Sequence, residues 1–327
     1  MPAPTIDVVV ATFNGWEMTE SCLRHLEAQT IPHTVIVVDN GSADGTPERL
    51  HAAFTDVKLC ALGENRGFAA ACNAGVGAGV GEFIVLVNND VDADAHFLER
   101  LIGPLLSDEH TGSVAPLLVR PGGERIDSVG LAADPTLAGF PRLQGRPVAD
   151  ASERRPELLG PSGGGGAYRR TAWEDAGGMD EGIFLYQEDL DLALRLRQSG
   201  WQAAIAPDAV GVHLGSATAQ RRSMWQRERA GFARGYILRR YGVLCSAVGP
   251  RALLTEALVA GGDAAVSRDL AALRGRLRGF GAADGLPRRA RPQHGPDPSI
   301  GLRESLRLRR VDYAAAAATR RAANRVP

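Results

Sequence analysis

The chain lacks the two glycine-rich fingerprints by which many α/β proteins bind nucleotide phosphates. Its first strand pattern, residues 6–11, runs into Thr12-Phe13-Asn14-Gly15 and not into G-x-G-x-x-G, which argues against a dinucleotide-binding dehydrogenase. No G-x-x-x-x-G-K-[ST] segment occurs either, so the sequence has no P-loop. We therefore expect any bound nucleotide to be held by polar side chains at the ends of strands.

Basic excess, paired cysteines and long apolar runs are also missing. The formal net charge is −1 over 327 residues, which argues against a dedicated nucleic-acid binder. The spacing of the four cysteines suits neither disulfides nor a metal site, as is typical of a reduced cytoplasmic protein. No signal segment precedes the first strand, and no apolar run approaches the ~20 residues that span a bilayer. We expect a cytoplasmic protein, attached at most peripherally to the inner face of the cell membrane.

Strand and helix patterns alternate along the first hundred residues. Apolar runs rich in β-branched residues occupy residues 6–11, 34–39, 57–62 and 83–87. Helical periods occupy the segments between them, residues 16–29, 46–54 and 68–76. Alternation of this kind predicts an α/β, Rossmann-like fold with a mostly parallel, doubly wound central sheet.

Oxygen-bearing side chains follow the strand predicted at residues 83–87, in the segment Asn88-Asn89-Asp90-Val91-Asp92. Ligands of open α/β sheets bind at the carboxyl ends of the strands, and carboxylates there suit Mg²⁺ or Mn²⁺. Two interpretations stay open, a metal site and a solvated turn, because Asn and Asp are common in turns. Asp39 is equally ambiguous, since it ends the second strand and also opens an Asp-Asn-Gly turn.

A second group of acids lies at the start of the helix predicted over residues 187–200. Acids in its first turn, later arginines and a terminal glycine fit the ordinary preferences of helix ends. Glu188 and Asp189 also follow an aromatic run, and a carboxylate at a helix start beside a cleft is well placed as a general base. His213 closes a further short strand; a lone histidine is more often structural, but this one is expected near the same cleft.

These residues together resemble the inverting family 2 glycosyltransferases of the GT-A fold, and among them the rhamnosyltransferase-like branch. The resemblance covers about residues 6–244 and rests on motifs in a fixed order. They are Ala-Thr-Phe-Asn (11–14), Val-Val-Asp-Asn-Gly-Ser (37–42), Glu-Asn-Arg-Gly-Phe-Ala-Ala-Ala-Cys-Asn (64–73), Asn-Asn-Asp (88–90), Gly-Gly-Met-Asp-Glu (177–181), Tyr-Gln-Glu-Asp-Leu-Asp-Leu (186–192) and His213. Each motif alone is weak, whereas the ordered set is specific.

The resemblance implies a role for each matching residue. Asp189 matches the family's catalytic base, and Asp90 and His213 match ligands of a divalent metal, Mg²⁺ or Mn²⁺, with Asp92 as a further candidate. The chain departs from the family's D-x-D element, because Asn88 stands in place of the first acid. The donor-binding residues are expected to be Thr12, Asn14, Asp39, Arg66, Asn73, Asn89 and Asp90, and those on the acceptor side Gly164, Gly165, Tyr186 and Glu188.

We expect a catalytic domain in residues 1–215, with a nucleotide-binding half in 1–95 and an acceptor-side half in 96–215. The long stretch 121–161, rich in Gly, Pro and Arg, is predicted to be a flexible acceptor-side segment. Residues 216–280 are predicted to form helices, and 281–327 a basic, partly disordered tail. The Arg-rich pattern of residues 218–240 fits either an amphipathic helix on an anionic membrane or a helix packed against the catalytic domain.

The expected reaction is inverting transfer of a sugar from a nucleoside diphosphate to a hydroxyl of a cell-surface glycan or lipid-linked acceptor. A metal neutralises the leaving diphosphate, and a carboxylate accepts the proton of the acceptor hydroxyl. The resemblance favours rhamnose from dTDP-rhamnose, with galactofuranose, galactose or N-acetylglucosamine donors as alternatives. A nucleotidyltransferase is less favoured, because no basic glycine-rich loop follows the first strand, and a non-catalytic glycan-binding relative is less favoured because Asp90 and Asp189 are both present.

Overall fold

Strands and helices alternate through the first hundred residues as predicted. The structure is a computed structural model that describes residues 4–215 and 223–309. The parallel strands β1 (Ile6–Thr12), β2 (Thr34–Asp39), β3 (Lys58–Ala61) and β4 (Phe83–Val87) pair in the order β3-β2-β1-β4. Helices α1 (Trp16–Glu27), α2 (Thr46–Ala53) and α3 (Phe68–Ala78) connect them. Every residue of β4 is buried, as its continuous apolar run requires of a central strand.

The main sheet continues beyond β4 with strands of both directions. The further elements are β5 (Val91–Ala93), α4 (Phe97–Ser107), β6 (Thr111–Val119), β7 (Ile126–Ser128), β8 (Leu131–Ala133), β9 (Gly139–Pro141), β10 (Gly165–Arg169), α5 (Arg170–Ala176), α6 (Glu188–Gln198) and β11 (Gln202–His213). Within the described residues the order is β3-β2-β1-β4-β10-β6-β11-β5, with β7 beside β6. β10 runs antiparallel to β4 and β6, and β5 antiparallel to β11. This arrangement places the start of β10 and the end of β11 at the edge where β4 ends.

The segment 121–161 differs from the flexible stretch predicted. It contains β7, β8, β9 and a 3-10 turn at Val148–Asp150. Ile126, Val129 and Leu143 pack with Leu117 and Val119 of β6 in one hydrophobic cluster. The turn-forming glycines and prolines separate short apolar runs, and burial of those runs gives the segment its structure.

The C-terminal helices belong to a second compact unit. Its described residues are 133–140, 223–290 and 296–309, whereas the first unit holds the remaining described residues. The helices are α7 (Met224–Arg240), α8 (Gly249–Ser267) and α9 (Ala271–Ala282), and residues 302–309 are also helical. α7 packs closely on α9, because a side chain at Gly235 or Gly279 would collide with the backbone of the other helix. Among the described residues, no helix has both the length and the apolar character needed to cross a bilayer.

The Pro- and Arg-rich segment 287–298 belongs to the tail that was predicted to be partly disordered, but its C-terminal end makes defined contacts. Asp297 is buried, and its backbone N–H donates to the carbonyl of Ala133 at 2.7 Å. Ile300 and Ser305, which follow the segment in the chain, are buried as well, so the C-terminal end of the segment is held in place. The rest of the predicted basic tail, residues 310–327, lies outside the described residues.

Candidate active site

The structure brings Asp90 and His213 together at the carboxyl end of β4. His213 ends β11 and lies opposite Val91 in the β5–β11 pairing, which places it beside Asp90. The Nε2 atom of His213 lies 3.2 Å from Oδ1 of Asp90. The backbone N–H of Leu214 donates to the carbonyl of Asp90 at 2.9 Å, which fixes these two segments of the chain against each other.

A further acid, Asp127, holds the other side of the His213 ring. Its Oδ2 lies 2.7 Å from Nδ1 of His213, and its Oδ1 lies 3.6 Å from Nε of Arg120. Burial alone would lower the pKa of His213, but the carboxylates of Asp127 and Asp90 outweigh it and raise this pKa to about 10. Asp127 could not be recognised from the sequence, because a single acid in a Gly-rich segment has no motif around it. The one signal was its place between the apolar residues Ile126 and Val129.

The pair formed by Asp90 and His213 suits a divalent cation. Oδ1 of Asp90 is buried and has no partner in hydrogen-bonding geometry, although the His213 nitrogen is close. Such a contact is expected of two ligands that share an ion, and the carboxylate is a ligand that both Mg²⁺ and Mn²⁺ prefer. Among the described residues, no group of three or more His, Cys, Asp or Glu side chains is arranged to hold a metal ion, so a cation here would have two protein ligands, Asp90 and His213. Mg²⁺ commonly completes such a shell with water and substrate phosphate.

Asp92, the further metal candidate, is not placed with these ligands. Its Oδ1 accepts a hydrogen bond from the hydroxyl of Ser21 at 2.8 Å and lies 3.4 Å from Nδ1 of His25. Both partners belong to α1. The acid therefore ties β5 to this helix, and the prediction that it helps to hold a metal is not supported by its position.

Asp189 is held at the start of α6 by backbone donors. Its Oδ2 accepts from the N–H of Gly163 at 2.7 Å, and its Oδ1 accepts from the N–H of Leu190 at 2.7 Å. The chain enters α6 through Tyr186 and Gln187, whose φ angles are 70° and 63°. A positive φ is uncommon for residues with side chains and clusters at functional sites. This strained entry immediately precedes Glu188 and Asp189, the first two of the three acids in the first turn of the helix.

The neighbouring acids Glu188 and Asp189 share a buried environment. Burial, and next the charge of Asp189, raise the pKa of Glu188 to about 8. Burial also raises the pKa of Asp189, but the N–H groups of Gly163 and Leu190 oppose this by stabilising its charge. Oε2 of Glu188 has no hydrogen-bond partner, whereas both oxygens of Asp189 accept backbone N–H groups, so the negative charge of the pair is favoured on Asp189. An ionised carboxylate is what a general base requires.

The glycine tract 163–165 lies between Asp189 and the Asp90–His213 pair. Gly163 donates to Asp189, as described above, and the carbonyl of Gly164 accepts from the N–H of Asn88 at 3.1 Å. Gly165 begins β10 opposite Val87. A Cβ atom on Gly164 would lie 2.8 Å from a methyl of Leu118, which would have to move, and in ordinary contact with Cε1 of His213 at 3.5 Å. Gly164 therefore lies beside His213, and an acceptor-side role for Gly164 and Gly165 stays a prediction.

Polar residues predicted to bind the donor line the ends of β1, β2 and β4. The hydroxyl of Thr12 lies 2.8 Å from that of Thr19, and the amide of Asn89 donates to Thr19 at 3.0 Å. The carboxylate of Asp39 accepts from the N–H groups of Gly41 and Ser42 at 3.2 and 3.1 Å, which is the turn geometry considered above. Donor binding by Thr12, Asp39 and Asn89 stays a prediction.

The other predicted donor-side residues, Asn14, Arg66 and Asn73, lie in contact with loops. The side-chain oxygen of Asn14 accepts from the N–H of Ala43 at 2.8 Å. The side chain of Asn73 exchanges hydrogen bonds of 2.9 Å with the backbone of Met179, and the guanidinium of Arg66 lies 3.6 Å from the carboxylate of Glu181. Asn73 therefore fastens α3 to the motif 177–181, and a donor-binding role for all three residues stays a prediction.

One known family model matches just over half of the chain. The family model described as "Glycosyl transferase family 2" matches residues 7–177. A curated relative, the N-acetylglucosaminyl-diphospho-decaprenol L-rhamnosyltransferase of Mycobacterium tuberculosis, is 29% identical over 233 residues, which cover 64% of this chain and 75% of the relative. The pre-mycofactocin glycosyltransferase of the same species is 30% identical over 200 residues, covering 59% of this chain and 40% of that protein.

Solved structures share the fold at low identity. The mannosyltransferase PcManGT from Pyrobaculum calidifontis, in complex with GDP-Man and Mn²⁺, has a TM-score of 0.53 and 23% identity; the match covers 96% of this chain and 86% of that one. GalNAc-T7 with UDP, GalNAc and Mn²⁺ has a TM-score of 0.57 and 16% identity, and the match covers 73% of this chain and 48% of that one. These likenesses concern the arrangement of strands and helices.

Proposed function

Because the chain belongs to glycosyl transferase family 2, we propose that it transfers rhamnose from dTDP-rhamnose, with inversion, to a hydroxyl of a cell-surface glycan or lipid-linked acceptor. The observation that carries the proposal is the joining of the Asp90–His213 pair and Asp189 through residues 163–165. The relative from M. tuberculosis, an L-rhamnosyltransferase by name, supports the choice of sugar and of a lipid-linked acceptor. Such an acceptor would place the protein at the inner face of the cell membrane.

Asp189 acts as the base of the transfer. It accepts the proton of the acceptor hydroxyl while that oxygen forms a bond to the anomeric carbon of the donor and the bond to the diphosphate breaks. Attack from the face opposite the leaving group inverts the anomeric centre. The N–H groups of Gly163 and Leu190 orient the carboxylate, and the protonated Glu188 leaves it as the charged member of the pair.

Asp90 and His213 would hold the divalent cation. When bound, Mg²⁺ or Mn²⁺ neutralises the charge that the leaving diphosphate gains. Asp127 is a positioning residue in this account, since it accepts a hydrogen bond from Nδ1 of His213 and thereby turns Nε2 towards Asp90. A carboxylate behind a metal-binding histidine commonly fixes the ring and raises its basicity.

Replacement of Asp127 by Asn is expected to weaken metal binding by roughly 10- to 100-fold. The amide keeps the shape of the side chain but removes the charge that orients and polarises His213. The measurement is the Mn²⁺ concentration at half-maximal donor hydrolysis, which rises in the variant while turnover at saturating Mn²⁺ largely recovers. Glu124→Gln, at an exposed acid of the same segment, is the matched control. Equal behaviour of the two variants would remove Asp127 from this role.

The proposed function is tested by release of nucleoside diphosphate from a panel of nucleotide sugars, with Mg²⁺ or Mn²⁺ and with chelator. We expect slow, metal-dependent hydrolysis of dTDP-rhamnose to exceed that of UDP-galactofuranose, UDP-galactose and UDP-N-acetylglucosamine. Hydrolysis of one of the other donors would overturn the choice of rhamnose and keep the enzyme class. Absence of both hydrolysis and thermal stabilisation with every nucleotide sugar would overturn the transferase proposal.

A further inference from the structure

Helix α8 of the second unit has an outward face without charge. Between Arg251 and Arg268 its charged residues are Glu256 and Asp263, and both are buried. The exposed positions repeat at helical spacing and are all apolar or glycine: Leu253, Leu254, Ala257, Leu258, Gly261, Gly262, Ala265 and Val266. Leu253 is 56% exposed and Val266 is 66% exposed. A surface helix normally presents polar residues on this side, so an apolar face of this length indicates a binding surface.

The outward face of α9 combines leucine with arginine. Its exposed residues are Leu273, Arg274, Leu277 and Arg278, followed by small residues. The opposite side of α9 is occupied by the close contact with α7, so the leucines cannot turn inward. The two helices follow each other directly in the chain, and Arg276 of α9 is paired with Glu256 of α8 at 2.8 Å.

Two acids of this unit, Glu256 and Asp263, are buried and paired with arginines, whereas Glu228 pairs with the exposed Arg278 at 2.6 Å. Glu256 accepts hydrogen bonds from Arg234 and Arg276 at 2.8 Å and from Arg309 at 3.0 Å. Asp263 pairs with Arg227 at 2.9 Å. By sequence, residues 133–140, 219–290 and 296–327 contain 21 arginines and no lysine against nine acids, whereas the rest of the chain contains 16 basic residues against 29 acids. The exposed arginines therefore belong to a strongly basic unit.

We propose that the outward faces of α8 and α9 dock on a bilayer surface that contains anionic lipids. The leucines of α8 enter the boundary between headgroups and acyl chains, and Arg274 and Arg278 bind lipid phosphates; apolar and basic contributions together are what interfacial helices use. A second copy of the chain is disfavoured as the occupant, because pairing through this surface would bring two basic units together. The inference deepens the lipid-linked acceptor of the proposed function, since that substrate lies in the membrane.

The test is flotation of the full chain with vesicles of phosphatidylcholine alone and of phosphatidylcholine with about one third phosphatidylglycerol. We expect binding to the anionic vesicles that weakens as salt is raised, because exposed charges are screened. A variant carrying Leu253→Ser, Leu254→Ser and Leu258→Ser is expected to bind at least about 10-fold more weakly, since each leucine contributes apolar area. Arg274→Gln with Arg278→Gln is expected to lose a similar factor on anionic vesicles.

The matched control carries Val80→Ser and Leu106→Ser, two exposed apolar residues outside the second unit, and should float like the wild type. Equal binding of wild type and leucine variant would overturn the proposal, as would equal binding to both vesicle types. A dimer in solution that the leucine variant abolishes, without vesicle binding, would assign the surface to a second copy. Measurements without vesicles separate the two proposals: if a wild type that still floats shows neither donor hydrolysis nor thermal stabilisation by any nucleotide sugar, the transferase proposal is overturned and the membrane surface remains.

Discussion

Replacement of Asp189 by Asn is expected to lower the turnover of sugar transfer by roughly 100- to 10,000-fold, the range that general-base catalysis supplies. The amide cannot accept the proton of the acceptor hydroxyl, whereas its carbonyl oxygen can still accept the N–H of Gly163. Donor binding should therefore persist. The measurements are transfer at saturating donor and acceptor, and thermal stabilisation by the donor with Mn²⁺.

The pH profile of the wild type gives an independent readout of the same base. Because burial raises the pKa of Asp189 above its ordinary value of 3.8, the base takes up a proton at a higher pH than an exposed carboxylate. Transfer should consequently fall on the acidic side with a midpoint shifted upwards. Glu174→Gln, at an exposed acid of α5, serves as the control for both measurements. Wild-type turnover in Asp189→Asn would exclude the base role, and loss of donor binding in it would indicate a structural role.

Replacement of Asp90 by Asn is expected to reduce kcat/KM by at least about 100-fold, since charge neutralisation by a bound metal contributes several kcal/mol. The substitution leaves the backbone bond to Leu214 in place and removes one of the two charged contacts of His213 at the site. The response of donor hydrolysis to Mn²⁺ should shift far upwards or vanish. Calorimetric titration of the protein with Mn²⁺ measures the same loss without turnover.

Asp92→Asn provides the matched control for Asp90→Asn, because Asp92 lies two positions away and contacts α1 through Ser21. It should retain most of the metal response. An equal loss in both variants would restore Asp92 as a ligand. Full activity of the wild type in chelator, with Asp90→Asn equally active, would remove the metal from the proposal.

The GT-A-type α/β fold predicted from the sequence is confirmed, and its parallel half follows from residue pattern alone. β4 is predicted correctly because a continuous apolar run rich in β-branched residues is typical of a strand buried at the centre of a sheet. β10 was not predicted as a strand, since Gly165 and Gly166 carry no side chains that could show alternation. Its antiparallel place between β4 and β6 is fixed by tertiary pairing, which local pattern does not contain.

The candidate site was likewise predictable from the sequence only in part. Asp90, Asp189 and His213 stand in recognisable motifs, and these were predicted as a group. The group's contacts with Asp127 and Gly163 depend on how the chain folds between residues 120 and 165, where apolar runs are short. The exposed face of α8 was missed for a related reason: its leucines give an ordinary helical period, and only the structure shows which side of the helix is buried.

Three consecutive glycines lie between Asp189 and the Asp90–His213 pair, and they limit how the site can be engineered. Gly163 donates its N–H to Asp189 and Gly164 lies against His213, so a substitution in the tract that moves one of these side chains is expected to move the other. Attempts to change the donor sugar should therefore succeed only outside residues 163–165. In directed evolution for a new sugar, this tract should remain invariant while pocket side chains around it exchange freely.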